Sequence, residues 1–212
     1  MKLSSHTTGL NLLCLNMSRP IVFLDVVPYE SAFHWRNDPQ IYTWCRQHTI
    51  RSMGQHQEYW AKVDSEHSSQ FYGIYVAKQK NNIFPVGVCG FTGINWISRV
   101  AEFSLYISVK HQRQGYAKEA IKDLFSRGFY EFGLNRIWGE TFEGNPALTL
   151  FESIGMKQEG KLRHHYFKNG KLIDAHIMGI LREEWDAGHS TCYLNHVLYN
   201  PSRHSVAYTP DS

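Results

Sequence analysis

The sequence predicts a single α/β domain built on one mixed, mostly antiparallel sheet flanked by helices. Three stretches carry that expectation. Residues 102–109 alternate Phe103, Leu105, Ile107 and Val109 against Ser104, Tyr106 and Ser108, the period-two pattern of a half-buried strand. The period then changes. Ala117, Ala120, Ile121, Leu124, Phe125, Gly128, Phe129 and Phe132 recur at three- and four-residue steps, the apolar stripe of an amphipathic helix. Near the end, residues 156–167 and 171–181 are strand-like runs joined by Asn169-Gly170, a pair that readily takes positive φ and closes a two-residue hairpin. Such a succession packs helices against a sheet.

The remaining elements follow in order. Residues 21–27 read as a strand. Residues 33–44 are helical in composition but interrupted by Pro39, which must end or kink a helix because it lacks an N–H. Ser52 with Gln55 three residues later forms a capping box, and a helix to about residue 63 follows. Residues 71–77 have the aromatic and β-branched composition of a strand. Residues 86–97 form a glycine-punctuated strand ending near Ser98. Gly133 stops the amphipathic helix, and residues 136–142 form another strand. Asn145 caps a second helix, with Pro146 at its first position and Gly155 just past its end. The domain is expected over residues 17–185, after a disordered extension over residues 1–16. The polar tail, residues 186–212, is expected to be loose or to pack on a partner subunit in a homodimer. Neither an internal repeat nor a linker is visible.

A chain of 212 residues buries about 70% of its unfolded surface and needs no covalent staples. Its net charge of +3 lacks the basic excess of a nucleic-acid binder. Cys14, Cys45, Cys89 and Cys192 show no paired spacing, against both a disulfide framework and a zinc site. No metal is expected, and a reducing, cytoplasmic setting fits. No apolar run approaches the roughly 20 residues that span a bilayer. The short run around Leu10, Leu12, Leu13 and Leu15 is broken by Asn11 and makes a poor signal-peptide core, so Met17 is an alternative start.

Chemistry concentrates where the best strand meets the best helix. Residues 109–120 read Val-Lys-His-Gln-Arg-Gln-Gly-Tyr-Ala-Lys-Glu-Ala. A helix N-terminus leaves free backbone N–H groups at the positive end of the helix dipole. Gly115 and Ala117 let a ligand approach closely, and Lys110, Arg113 and Lys118 add charge. Such a turn binds phosphate. It is neither a P-loop nor a dinucleotide fingerprint. On these residues alone, a tight turn with solvated basic side chains explains it equally well.

The wider pattern is more specific. Gln112-x-x-Gly115-x-Ala117 resembles the acetyl-CoA loop of the GNAT N-acetyltransferase superfamily. Residues 145–156, Asn-Pro-Ala-Leu-Thr-Leu-Phe-Glu-Ser-Ile-Gly-Met, resemble that superfamily's Asn-x-x-Ala/Ser…Tyr-Glu-Lys-x-Gly-Phe segment. Residues 159–163, Asn169-Gly170-Lys171 and Asp174 look like the ending of the ribosomal-protein and spermidine acetyltransferase branch. The resemblance implies acetyl-CoA as co-substrate and two central strands that splay to admit its pantetheine arm. It assigns backbone contacts to Ile107 and Val109. The pyrophosphate grip falls to Gln112, Arg113, Gln114, Gly115, Tyr116, Ala117 and Lys118, and a pantetheine contact to Asn145. Phe151 stands where many relatives carry Tyr, which can protonate the leaving thiolate. Phe151 cannot, and Tyr106 is the substitute candidate.

The implied reaction is direct attack of an amine on the thioester. Glu102 and Glu140, on the two splayed strands, are the candidate bases. A surface or hydrogen-bonding role explains either carboxylate equally well. His164, His165 and Tyr166 are candidates to line the acceptor side. Trp35, Arg36 and Asn37 lie in a stretch similar to sugar-nucleotide N-acetyltransferases of the pseudaminic-acid type. There Arg36 would pair with phosphate, although core packing and a helix salt bridge account for these residues too. The leading expectation is an amino-sugar acceptor on a nucleotide carrier. A polyamine or protein N-terminal acceptor is the alternative, and a non-catalytic CoA-binding module, hinted at by Phe151, a third. A polyamine enzyme needs an acidic pocket, and the linear sequence displays no acidic cluster.

Overall fold

The computed structural model describes residues 21–46, 50–79 and 82–189. The expectations for residues 1–16, Met17, Cys14, Cys192 and the tail beyond residue 189 fall outside these. Among the described residues the chain runs β1 (Ile21–Asp25), α1 (Tyr29–Arg36), α2 (Pro39–Tyr42), α3 (Met53–Ser65), β2 (Gln70–Gln79), β3 (Asn82–Asn95) and β4 (Val100–Ile107). A 3-10 turn (Val109–His111) leads into α4 (Tyr116–Ser126) and its π-helical continuation (Arg127–Glu131). Then come β5 (Arg136–Phe142), α5 (Ala147–Ser153), β6 (Lys157–Lys168), β7 (Lys171–Leu181) and α6 (Arg182–His189).

Local chemistry explains most boundaries. Pro39 divides the first helical stretch in two, and Asp38 caps the second piece by accepting from the Gln40 N–H at 2.9 Å. Both halves of the Ser52–Gln55 capping box form. Asn169 and Gly170 both take positive φ, as a type I′ hairpin requires. One expectation needed correction. The amphipathic helix does not run regularly to Phe132. After Ser126 it widens by one residue per turn, and the Phe132 N–H reaches the Arg127 carbonyl at 3.0 Å. Arg127 is held there by Asp123 at 3.2 Å and lies over the Tyr72 ring. Trp185, the last residue of the expected domain, lies within a helix that continues to His189. Trp185 is fully buried in α6 against Phe125 and Phe129.

The sheet order is β1-β2-β3-β4-β5-β7-β6. All neighbours are antiparallel except β4 and β5. That parallel pair joins only at Val100↔Arg136, Ala101↔Ile137 and Glu102↔Trp138. Beyond it the two strands splay, as expected. The main core lies between one face of the sheet and α4. There Ile121, Leu124 and Phe125 are fully buried, each stabilising the fold by about 1.5–3 kcal/mol. A second cluster, with Val27, Ala32, Trp60, Val63 and Val88, packs α1 and α3 on Val88 of β3.

Candidate active site

Strand alternation sorts the side chains around the gap. On β4, Phe103, Leu105 and Ile107 join the α4 core, whereas Tyr106 packs with the second cluster. Glu102 shares the Tyr106 face. On β5, Trp138, Glu140 and Phe142 share a face by the same rule, and Phe142 meets Tyr166 of β6 ring to ring at 4.8 Å. The Tyr166 hydroxyl lies close enough to Glu140 to feel its charge. Its pKa is pushed up to about 12 by burial first and by Glu140 second. Glu102 is buried and forms an ion pair with Arg46, whose charge is also felt by Tyr166. The fold therefore assembles Glu102, Glu140, Tyr166 and Arg46 at the mouth of the splay. The acidic grouping that the linear sequence did not display is made by two neighbouring strands.

The floor of the gap is main chain. The Ser108 N–H donates to Val86 of β3 at 2.8 Å. By alternation the backbone groups of Phe103, Leu105 and Ile107 point the other way, toward β5. Pairing with β5 ends at Glu102↔Trp138, so the backbone groups of Leu105 and the N–H of Ile107 form an open strand edge. The Ile107 carbonyl is already engaged by Gln112 Nε2 at 3.0 Å. Val109 corrects the expectation that placed it on the strand. It opens the 3-10 turn, and its carbonyl accepts from the Gln112 N–H.

The turn into α4 has the geometry of an anion cradle. Arg113 and Gly115 both take positive φ, 59° and 82°, which curls successive amides toward a common point. Among the described residues, the amides of Arg113, Gln114, Gly115, Tyr116 and Ala117 have no protein acceptor. A Cβ at Gly115 would meet nothing within 4 Å, so the space above it is open. Gln112 and Gln114 use their side chains to brace the loop, the latter on the Lys110 carbonyl at 3.2 Å. Tyr116 is buried, whereas Arg113 is exposed. Arg113 and Lys118 are without an ion-pair partner among the described residues and lie beside the cradle. Asn145 Oδ1 caps α5 by accepting from the Ala147 N–H at 2.9 Å. Phe151 is buried edge-on to Phe103 at 5.0 Å, on the α4 side of the sheet.

Other candidates land elsewhere. Tyr106 packs against the second cluster, and its hydroxyl pKa is pushed well up by burial, so it holds its proton tightly. Trp35 packs on that cluster as well. Arg36 lies close enough to act on Tyr106, Cys45 and Lys168. Asn37 closes a two-bond clamp on the Arg51 backbone, both bonds 2.9 Å, so its amide is committed to structure. His164 and His165 are exposed on a bulge of β6 between Leu162 and Tyr166. His164 takes positive φ there, and its N–H donates to Asp174 at 2.8 Å. Arg46 and Lys168 were not singled out from the sequence. No local pattern marks them, because their partners lie far away in the chain. No group of metal-binding side chains occurs, and no helix is long and apolar enough to cross a membrane, both among the described residues.

Comparison with known proteins agrees with this geometry. The model of the acetyltransferase (GNAT) domain matches residues 19–157, more than half of the chain. An uncharacterized N-acetyltransferase, p20, of Bacillus licheniformis is 33% identical over 101 residues, covering 47% of this chain and 57% of that protein. A spermidine N(1)-acetyltransferase of Vibrio cholerae is 34% identical over 108 residues, covering 50% of this chain and 61% of that protein. The chain thus spans less than two thirds of these relatives' lengths. The crystal structure of the Vibrio cholerae spermidine N-acetyltransferase in complex with CoA and spermine superposes with a TM-score of 0.72. At 24% identity it covers 77% of this chain and 97% of that one, a likeness of fold.

Proposed function

The chain belongs to the acetyltransferase (GNAT) family, and on that premise we propose that it is an acetyl-CoA-dependent N-acetyltransferase acting on a primary amine of a small, multiply charged polyamine. The observation that carries the acceptor reading is the pair of carboxylates, Glu102 and Glu140, at the mouth of the splayed strands. Two anions on one face suit an acceptor with two or more ammonium groups. The spermidine acetyltransferase of Vibrio cholerae is similar both in sequence and in fold. The amino-sugar reading is set aside, because Asn37 and Trp35 are occupied in packing and clamping. The reading as a non-catalytic module rested on Phe151 alone, and the carboxylate face answers it.

The co-substrate fits the residues present. The five free amides at the start of α4, with Arg113 and Lys118 beside them, would hold its diphosphate. The open edge of β4 at Leu105 and Ile107 would receive its amide-bearing arm. Acetyl-CoA supplies an activated acyl thioester. The remaining work falls to this chain's own groups. Glu102 takes a proton from the acceptor ammonium or from the attacking nitrogen, a contribution of roughly 10²–10⁴-fold for a positioned base. The nitrogen lone pair forms the new C–N bond as the C–S bond breaks, and the electron pair of that bond leaves with CoA as its thiolate, to be protonated by water. Holding amine and carbonyl together supplies much of the remaining acceleration. Tyr166, beside Glu140, sits on the acceptor face, where it can orient the amine.

The test is thiol release from acetyl-CoA with spermidine, a nucleotide-linked amino sugar and an N-terminal peptide offered in parallel. Saturable turnover with the polyamine is expected. Turnover with only the sugar or the peptide overturns the acceptor assignment, and none with any amine overturns the enzyme reading.

A further inference from the structure

Lys168 closes β6 at the Asn169-Gly170 hairpin, yet it is only 4% exposed. Burying an ammonium is costly unless its donors are met. Here they are met by a segment over 120 residues away: Lys168 Nζ donates to the Thr43 carbonyl at 3.2 Å and to the Cys45 carbonyl. Its charge also lies 3.9 Å above the centre of the Phe142 ring, a favourable cation–π placement. The next residue after that clamped pair of carbonyls is Arg46, and Arg46 reaches Glu102. The chain of contacts therefore runs from the β6 hairpin, through the segment after α2, to the carboxylate on β4.

We infer that Lys168 is a positioning residue, clamping residues 43–45 so that Arg46 is held against Glu102 and sets both the aim and the ionisation of that carboxylate. The inference rests on the reading of Glu102 as the base. Arg46 itself stands half-exposed where an acceptor ammonium would approach, so the incoming amine exchanges with a guanidinium already in place. Without the clamp, Arg46 would be a mobile surface side chain worth little to Glu102. On the same face, Tyr106 follows on β4 and Glu140 stands on β5; Tyr166 on β6 also feels the Arg46 charge, and Arg36 on α1 acts on Tyr106. The ladder neighbours of Glu102, Thr92 on β3 and Trp138 on β5, carry no charge. Burial lowers the Lys168 pKa, as expected for an ammonium removed from water.

The experiment titrates the Glu102 carboxyl carbon by ¹³C NMR, assigned with Glu102→Gln, in the wild-type chain, Arg46→Met, Lys168→Met and the double variant. Removing a cation from contact with a carboxylate raises its pKa by about 1–3 units. Arg46→Met should therefore move the midpoint upward by that amount. Lys168→Met should move it in the same direction, and the double variant no further than Arg46→Met alone. Lys168→Arg, which keeps the charge and the donors, should leave the midpoint close to the wild-type value. A midpoint unmoved by Lys168→Met, or a shift that adds to that of Arg46→Met, overturns the proposal. Should Lys168→Met not fold, Lys168→Gln is read in the same way against the same two outcomes. The titration needs no turnover, so it is decided separately from the thiol-release assay that tests the enzyme reading.

Discussion

Gly139 sits on β5 one residue past the last pair that joins it to β4, and replacing it with alanine tests how the gap is wedged. A Cβ there would lie 2.8 Å from Phe103 Cδ1 and 3.3 Å from Cζ, with Cε1 nearer still. Comfortable carbon contacts are roughly 3.5–4.0 Å, so the ring must move by about 0.7 Å or more. It has no room. Phe103 is 5% exposed and is fixed edge-on by Phe125 at 5.1 Å and Phe151 at 5.0 Å. Overpacking of this kind costs about 1–3 kcal/mol, and for a domain of this size each kcal/mol is about 2–4 °C of melting temperature. Urea unfolding should show Gly139→Ala less stable by that amount, and a wider gap should raise KM for acetyl-CoA. Phe103→Leu removes the clashing ring edge. The double variant should then be more stable than the sum of the singles by about 0.5–3 kcal/mol, the range for residues in contact. A Gly139→Ala protein within roughly 0.5 kcal/mol of wild type, or no coupling with Phe103→Leu, refutes the wedge.

Other outcomes follow from the same geometry. Gly115→Glu puts a carboxylate and a strained φ into the cradle, so calorimetry should find CoA binding lost; undiminished affinity contradicts the assignment. Glu102→Gln should lower kcat about 10²–10⁴-fold with CoA affinity unchanged. Glu140→Gln should instead weaken spermidine relative to a monoamine, and equal effects on both amines would count against a second ammonium site. Stability should fall as pH drops below about 6.5, the unfolded value for histidine. His56 and His189 are held below that value by burial, and His111 by burial and then by Lys78 and Lys110. A lowered folded pKa means that the unfolded chain takes up the proton first, so stability is present above pH 6.5 and is lost on acidification. Asp174, lowered by the His164 N–H and then Lys161, and Glu184, lowered by Lys157, join only near pH 4 and below. Urea unfolding at pH 7.5 and 5.5 measures this, and a flat profile between them contradicts it.

Much of the fold was legible because local rules decide it. Period-two alternation gave β4, the capping box gave α3, Asn169-Gly170 gave the hairpin, and Pro39 gave the break between α1 and α2. The π-helical turn was not legible, since its extra residue depends on Asp123 and Tyr72 meeting Arg127 in three dimensions. α6 was missed because its polar composition hides a single anchor, Trp185, whose pocket is built by Phe125 and Phe129. In the site, the main-chain cradle could be read from Gly115 and the strand-to-helix change of period. The parts of Arg46 and Lys168 could not, because each finds its partner in a distant segment of the chain. Asn37 illustrates the opposite error: a polar residue in a suggestive stretch whose amide is spent on the Arg51 backbone.

The most direct measurement is an amide-resolved NMR titration of the ¹⁵N-labelled protein with CoA. Resonances of Arg113, Gln114, Gly115, Tyr116 and Ala117 should shift together and saturate at the calorimetric affinity, with Leu105 and Ile107 following along the β4 edge. Saturable binding that leaves the five amides at the start of α4 in place, and shifts another part of the molecule, would contradict the account.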